Sequence, residues 1–453
     1  MRRFVFPWGR EGGTLAGMGF WKRIALIGFV AGGLLGPSVA ASAADDAAAY
    51  KRAVEQQFEA WLQARWPEAQ AEGVSRETFE REVKGLTLDW SLPHLVLPDP
   101  AYLGGPRLPQ SLKPKAPARQ PEFDSPERYF KISNLNALAA QGKTQYHQYK
   151  TVLTEVQKRY QVPGSIIVAI WGRETNFGTV RLPNDALQSI ATQAFLGRRP
   201  EVFTEEFIKA LKVLQDGHIS RSEMRSSWAG AMGHTQFLPS DFLKYAVDID
   251  QDGKRDIWES VPDALASAGN SLHSQGWIGD QEWGYEIDLP AGFDCTLQGP
   301  DKTRSFGDWV DMGITRVKGR PFPKEKLENQ GFLVLPAGME GPAFLVTENF
   351  SVLKKYNNSD VYALFVGKVA DMIEYGAPAG FVGAWKPVDR FTRDRMLAFQ
   401  EVLVKRYGYD VGNVDGLVGF KTRQAIGLYE KKAGAPLTCY PSKKIVDAVL
   451  GQQ

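Results

Sequence analysis

The segment Val162–Gly178, VPGSIIVAIWGRETNFG, constrains this chain more than any other, because it reads as one apolar helix delivering one carboxylate. Pro163 suits a first helical turn, where its missing N–H would go unpaired, and Gly178 suits the position just past the end. Ile166, Ile167, Ile170 and Trp171 recur at helical spacing, and Glu174 lies four residues beyond Ile170, so the acid continues the apolar stripe. Desolvation and the negative end of the helix dipole both favour a protonated carboxyl there. Lifting a Glu from about 4.3 to between about 6 and 7, the range of a general acid, takes about 3 kcal/mol of differential environment. A Glu paired with Arg173 or a distant Lys accounts for this helix equally well, and only the downstream sequence separates the two readings.

With 453 residues, 43% apolar content and 12 Trp, the chain has material for a sizeable core and more than one domain. A net charge of +2 gives no case for a nucleic-acid partner. Lys22 and Arg23 precede the apolar run Ile24–Leu35, which is too short to span a bilayer, and Pro37 and small residues follow. This predicts a secretory signal over residues 1–43, cleaved after Ala43 or Ala40, with translation starting at Met1 or Met18. No Cys follows the run, so the expected product is periplasmic, is not a lipoprotein and keeps no membrane anchor after cleavage. Cys295 and Cys439 are the only cysteines; an exported chain can oxidise them, and the sequence leaves them either bridged or unpaired.

The pattern predicts a mainly α protein. Tyr50–Gln70 is helical, Ser75 with Thr78 opens a second helix, and Pro93–Pro121 is a Pro-rich extended segment. Helical patterning resumes near Ser125, runs through Tyr146–Tyr160 into the Glu174 helix, and returns in Leu187–Phe195, Val202–Asp216, Pro262–Gln275 and Asn357–Glu374. A small strand-rich insert is expected at about 283–350. Residues 44–375 are therefore read as one catalytic region, 376–392 as a linker, and 393–453 as a module of three short helices, Arg393–Tyr407, Lys421–Lys432 and Ser442–Leu450.

Ser226–Pro239, SSWAGAMGHTQFLP, permits close backbone approach through Ala229, Gly230, Ala231 and Gly233, and offers Ser227, Thr235 and Gln236 as polar groups. Alone it would describe a helix packed through small residues. Together, IWGRETNFG and SSWAGAMGHTQFLPSDF resemble the lytic murein transglycosylase B family. Further matches follow at Gln120–Phe123, Arg198–Phe203, Gly341–Phe350 and Tyr356–Tyr362, in order along the chain.

The resemblance implies a lysozyme-like helical domain that cleaves the β-1,4 bond between N-acetylmuramic acid and N-acetylglucosamine in peptidoglycan glycan strands. Glu174 matches the family's catalytic carboxylate: it would protonate the glycosidic oxygen and then take the proton from the muramic acid O6, closing a 1,6-anhydro ring without consuming water. An internal hydroxyl makes a second carboxylate unnecessary. Ser227, Gln236, Tyr356, Asn357 and Tyr362 match positions lining the sugar cleft. Each also has a purely structural reading, Tyr362 as core and Asn357 as a cap for the helix that follows it. His234 and Thr235 receive no role.

Asp248–Glu259, DIDQDGKRDIWE, fits a twelve-residue Ca²⁺ loop: Asp248, Asp250 and Asp252 at positions 1, 3 and 5, Gly253 at 6, Lys254 at the backbone-carbonyl position 7, Asp256 at 9 and Glu259 at 12. Five carboxylates so close would repel one another without a cation, so a structural Ca²⁺ is expected. At the C-terminus, Leu397 with Gln400, GY, VDGLVG and KTRQAI resemble a peptidoglycan-binding domain, which implies a module that concentrates the enzyme on its polymer. Two alternatives to a transglycosylase remain: a non-catalytic peptidoglycan-binding protein, and a muramidase-type hydrolase on the same bond.

Overall fold

The structure is a computed structural model that describes residues 38–103 and 126–451. The signal expected over 1–43 lies outside its described side chains, as does the Gln120–Phe123 motif, and no helix among the described residues is long and apolar enough to cross a membrane. Two compact units emerge, one from residues 126–186 and 216–451, the other from 38–103 and 187–215.

The first unit is built around the helix Gly164–Thr175. It is buried on every face through Gly172, so it is a central strut with no exposed stripe. Helices Ile132–Gln148, Lys150–Tyr160, Val261–Ser274 and Asp360–Tyr375 pack around it. Burying Ile166, Ile167, Val168, Ile170 and Trp171 contributes on the order of 10 kcal/mol before conformational entropy is counted. The helix stops earlier than its sequence suggests. Asn176 (φ 48°) and Phe177 (φ 58°) turn left-handed, and the Asn176 amide holds that turn by donating to Thr179 at 2.7 Å. Gly178 (φ 77°) is required for another reason as well, since a Cβ there would lie 2.1 Å from the His234 ring.

The strand-rich insert is a five-stranded antiparallel sheet in the order Arg304–Ser305, Gln330–Val334, Ala343–Val346, Gly284–Asp288, Thr315–Arg316. Its central register pairs Leu345 with both Tyr285 and Leu333. The helix expected from Asn357 begins instead at Asp360, because Ser359 is the cap: its Oγ accepts the Tyr362 N–H at 3.3 Å.

The C-terminal helices, Arg393–Tyr407, Phe420–Lys432 and Lys443–Leu450, are packed against the insert. Cys439 and Cys295 form a disulfide across 144 positions, and Gly427 lets the middle helix approach it, since a Cβ there would meet Cys439 Sγ at 2.4 Å. The stretch 376–392 is held as well: the Gly383 N–H donates to Glu286 at 2.7 Å, the Lys386 N–H to the Glu340 carbonyl at 2.8 Å, and Trp385 stacks on Phe130.

The second unit gathers helices Ser38–Gln63, Trp66–Ala71, Arg76–Val83 and Pro200–Gln215 around the rings of Phe58, Trp61, Phe195 and Phe207. Ser75 caps its helix as its sequence indicates, and its backbone N–H donates to Gln215 at 2.9 Å.

Candidate active site

Glu174 occupies the last turn of the central helix and is half-buried. The Tyr362 hydroxyl donates to its Oε1 at 2.5 Å across 188 positions. Burial, with the Glu174 charge beside it, pushes the Tyr362 phenol well above its ordinary value, so this group is a permanent O–H donor. Arg173, which precedes Glu174 in the sequence, donates to the Tyr129 oxygen at 2.6 Å, with its guanidinium 4.8 Å from the Tyr129 ring and 5.4 Å from that of Phe365.

The loop after Ser226 takes its shape from the residues that the sequence marks as cleft-lining. Ser227 Oγ accepts the N–H groups of Ala229 and Ala231, at 3.3 and 3.2 Å. Gln236, itself left-handed (φ 54°), donates through Nε2 to the carbonyls of Gly233 and Ala231 at 3.0 and 3.3 Å. Its Oε1 is buried without a hydrogen-bond partner among the described residues. The Tyr356 hydroxyl donates to the Thr235 carbonyl at 2.5 Å, and Asn357 ends the helix Glu348–Tyr356. Ser227, Gln236, Tyr356, Asn357 and Tyr362 expose at most 4% of their surface, whereas Glu174 retains part of its own. Ser227, Gln236 and Tyr356 therefore bond the loop backbone, while Tyr362 reaches Glu174 directly.

His234, to which sequence reading gives no role, joins the wall to the central helix. Burial pushes its ring below the usual value, so it is neutral, and Nδ1 accepts the Trp171 Nε1–H at 2.9 Å. Its carbonyl accepts from Thr175 Oγ1 at 3.2 Å, one residue after Glu174, and its N–H donates to the Ile257 carbonyl at 2.8 Å. Nothing local signals this, because a His in a small-residue loop has no periodicity to read.

Ile257 belongs to the acidic loop. There Asp248, Asp250 and Asp252 bring carboxylate oxygens within 4.8 Å of one another, and Gly253 (φ 93°) makes the turn. Asp248 accepts the N–H groups of Gln251 and Gly253, and Asp263, on the following helix, accepts those of Ile249 and Asp256, closing both ends of the loop. Asp256 Oδ1 accepts from the backbones of Trp258 and Glu259. Asp256 and Glu259 stand outside the converged cluster. Three hard anionic oxygens within 4.8 Å of one another are the donor type that a divalent cation such as Ca²⁺ takes.

The transglycosylase SLT domain family matches residues 57–371. Membrane-bound lytic murein transglycosylase B of Escherichia coli is 32% identical over 242 residues, 51% of this chain and 63% of that protein, so the chain spans less than two thirds of its length. SltB3 of Pseudomonas aeruginosa, solved with NAG-NAM-pentapeptide and with NAG-anhNAM-pentapeptide, is 39% identical and superposes over 86% of this chain and 99% of that one, with TM-scores of 0.74 and 0.73. The lytic transglycosylase SLT35 of Escherichia coli, solved in complex with calcium, is 28% identical over 57% of this chain and 80% of that one, with a TM-score of 0.48. The family match covers both Glu174 and its wall, and the chain belongs to the transglycosylase SLT domain family.

Proposed function

We propose that this protein is a lytic transglycosylase that cleaves the β-1,4 bond between N-acetylmuramic acid and N-acetylglucosamine in peptidoglycan and leaves 1,6-anhydro-muramic acid ends. The observation that carries this reading is the half-buried Glu174 held by a phenol that cannot ionise. Glu174 holds the acid proton and passes it to the glycosidic oxygen while Tyr362 donates to its Oε1. The same hydrogen bond strengthens as the carboxylate forms, so it favours the transition state over the ground state. Glu174 then takes the O6 proton as O6 closes on C1. Ser227, Gln236, Tyr356 and Asn357 keep the loop and the helix ends in register around the sugar. SltB3, 39% identical, is bound in its structures to both a muramyl and an anhydromuramyl peptide, which supports this choice over a hydrolase.

Digestion of purified sacculi followed by mass analysis of the released ends tests the reading. Anhydro ends are expected. Reducing ends would establish hydrolysis, and binding without release would establish a non-catalytic protein.

The acidic loop holds Ca²⁺ through Asp248, Asp250 and Asp252, with the Lys254 carbonyl, Asp256 and Glu259 completing the set we assign. The ion neutralises the cluster, and the Ile257–His234 hydrogen bond carries its order to the wall beside Glu174. A chelator is expected to lower the melting temperature, and Ca²⁺ at a hundred times its Kd to restore about 3 kcal/mol. No shift in a metal-stripped sample would remove the site. We place the protein in the periplasm, exported by the signal over residues 1–43, with the C-terminal helices as a peptidoglycan-binding module.

A further inference from the structure

Arg423 lies on the C-terminal helix Phe420–Lys432, within the KTRQAI motif, where a wall-binding module would be expected to keep its charges outside. Its side chain is instead 4% exposed. Its Nε donates to Gln298 Oε1 at 2.9 Å, one terminal nitrogen donates to the Val418 carbonyl at 3.1 Å, and the other donates to Asp360 Oδ2 at 3.2 Å. Gln298 is fully buried and is fixed in turn by its own bond to the Cys295 carbonyl, three residues away and at the disulfide. The guanidinium therefore cannot drift. A buried cation with all three nitrogens engaged is a fixed point in the fold.

Asp360 is the first residue of the helix Asp360–Tyr375, and Tyr362 is two residues further on. Its other oxygen is 2.8 Å from Lys354 at the end of the preceding helix. Burial would raise this carboxyl, but Lys354 and Arg423 bring it down to about 2, so it is ionised throughout the working range. Asp360 thus ties together the helix ending at Tyr356, the helix bearing Tyr362, and the C-terminal module.

We propose that Arg423 is a positioning residue of the active site: through Asp360 it holds the start of the Tyr362 helix at the distance that lets Tyr362 bond Glu174. The C-terminal module is in this respect part of the catalytic apparatus as well as a means of attachment. The inference rests on the functional reading above. At 2.5 Å the Tyr362–Glu174 bond has no slack, and a helix start displaced by about 1 Å would break it.

The test uses the full chain with Arg423→Met, Asp360→Asn and their combination. Each single variant is expected to lose about tenfold in kcat on a soluble glycan fragment, with KM changed less than about twofold, and the double variant to lose no more than either. In a Tyr362→Phe background the Arg423→Met loss should shrink to less than about twofold, because the bond it protects is already gone. Amide exchange at 360–364 should quicken by about tenfold in Arg423→Met while that of Gln330–Val334 stays unchanged, a readout independent of turnover. Arg423→Lys, which keeps the charge and loses the fork, should lie between wild type and Arg423→Met and serves if the latter does not fold. Unchanged exchange at 360–364, or a loss that persists in full in the Tyr362→Phe background, overturns the proposal. A wild-type protein that cuts nothing overturns the functional reading, and the exchange measurement then decides this one alone.

Discussion

Glu174→Gln is expected to lower turnover on peptidoglycan by at least about a thousandfold while leaving the melting temperature nearly unchanged. A general acid or base each contributes about 10² to 10⁴, and here one group fills both roles in succession. The amide is nearly isosteric and its Oε1 still accepts the Tyr362 hydroxyl, so the helix end and the wall keep their geometry. What is lost is the titrating proton alone. A variant within about tenfold of wild type would show that the proton comes from elsewhere.

The second large effect concerns stability. Asp371 sits on the helix that carries Tyr362, where it accepts the Trp283 Nε1–H at 3.3 Å. Burial pushes its carboxyl up to about 7, against the opposing pull of that hydrogen bond and of the Lys368 ammonium, with Glu282 adding to the rise. The folded protein therefore holds a proton that the unfolded chain, at about 3.8, releases. Its contribution to stability is greatest below pH 4 and is lost as pH rises from about 4 to about 7, remaining flat above. Three pKa units correspond to at most about 4 kcal/mol, and because the side chain keeps partial contact with water the effect is closer to about 2 kcal/mol. Asp371→Asn retains an acceptor for Trp283 and removes the charge. Its denaturation midpoint should exceed that of wild type at pH 8 and approach it at pH 4. Equal midpoints at pH 8 would show that Lys368 already neutralises the site.

Local patterns carry much of the architecture. The C-terminal helices fall within a residue of their predicted bounds, Ser75 caps where expected, and the strands of the five-stranded sheet lie within the expected insert, because each is written in periodicity and turn chemistry confined to a few neighbours. The end of the Glu174 helix is less legible, because Asn176 takes the left-handed turn that glycine usually occupies. Periodicity also implies a stripe where the helix is buried all round, a difference set by how many helices pack on it rather than by its own sequence.

The least legible features are the long-range ones. Tyr362 reaches Glu174 across 188 positions, Cys295 reaches Cys439 across 144, and Arg423 reaches Gln298 across 125. Resemblance to a family marks Ser227, Gln236 and Tyr356 as cleft residues, but only the fold shows Ser227 Oγ, Gln236 Nε2 and the Tyr356 hydroxyl engaged with the loop backbone. His234 escapes a reading of the sequence because its partners, Trp171 and Ile257, come from separate segments.

In the mechanism proposed for this protein one carboxyl serves as acid and then as base, and the sugar's own hydroxyl is the nucleophile. Digestion of sacculi in oxygen-labelled water tests that claim directly. The released muramyl ends should carry no label and be lighter than the hydrolysed form by one water. Label at those ends would mean that water attacks the bond, and would contradict the transfer of a proton from O6 to Glu174.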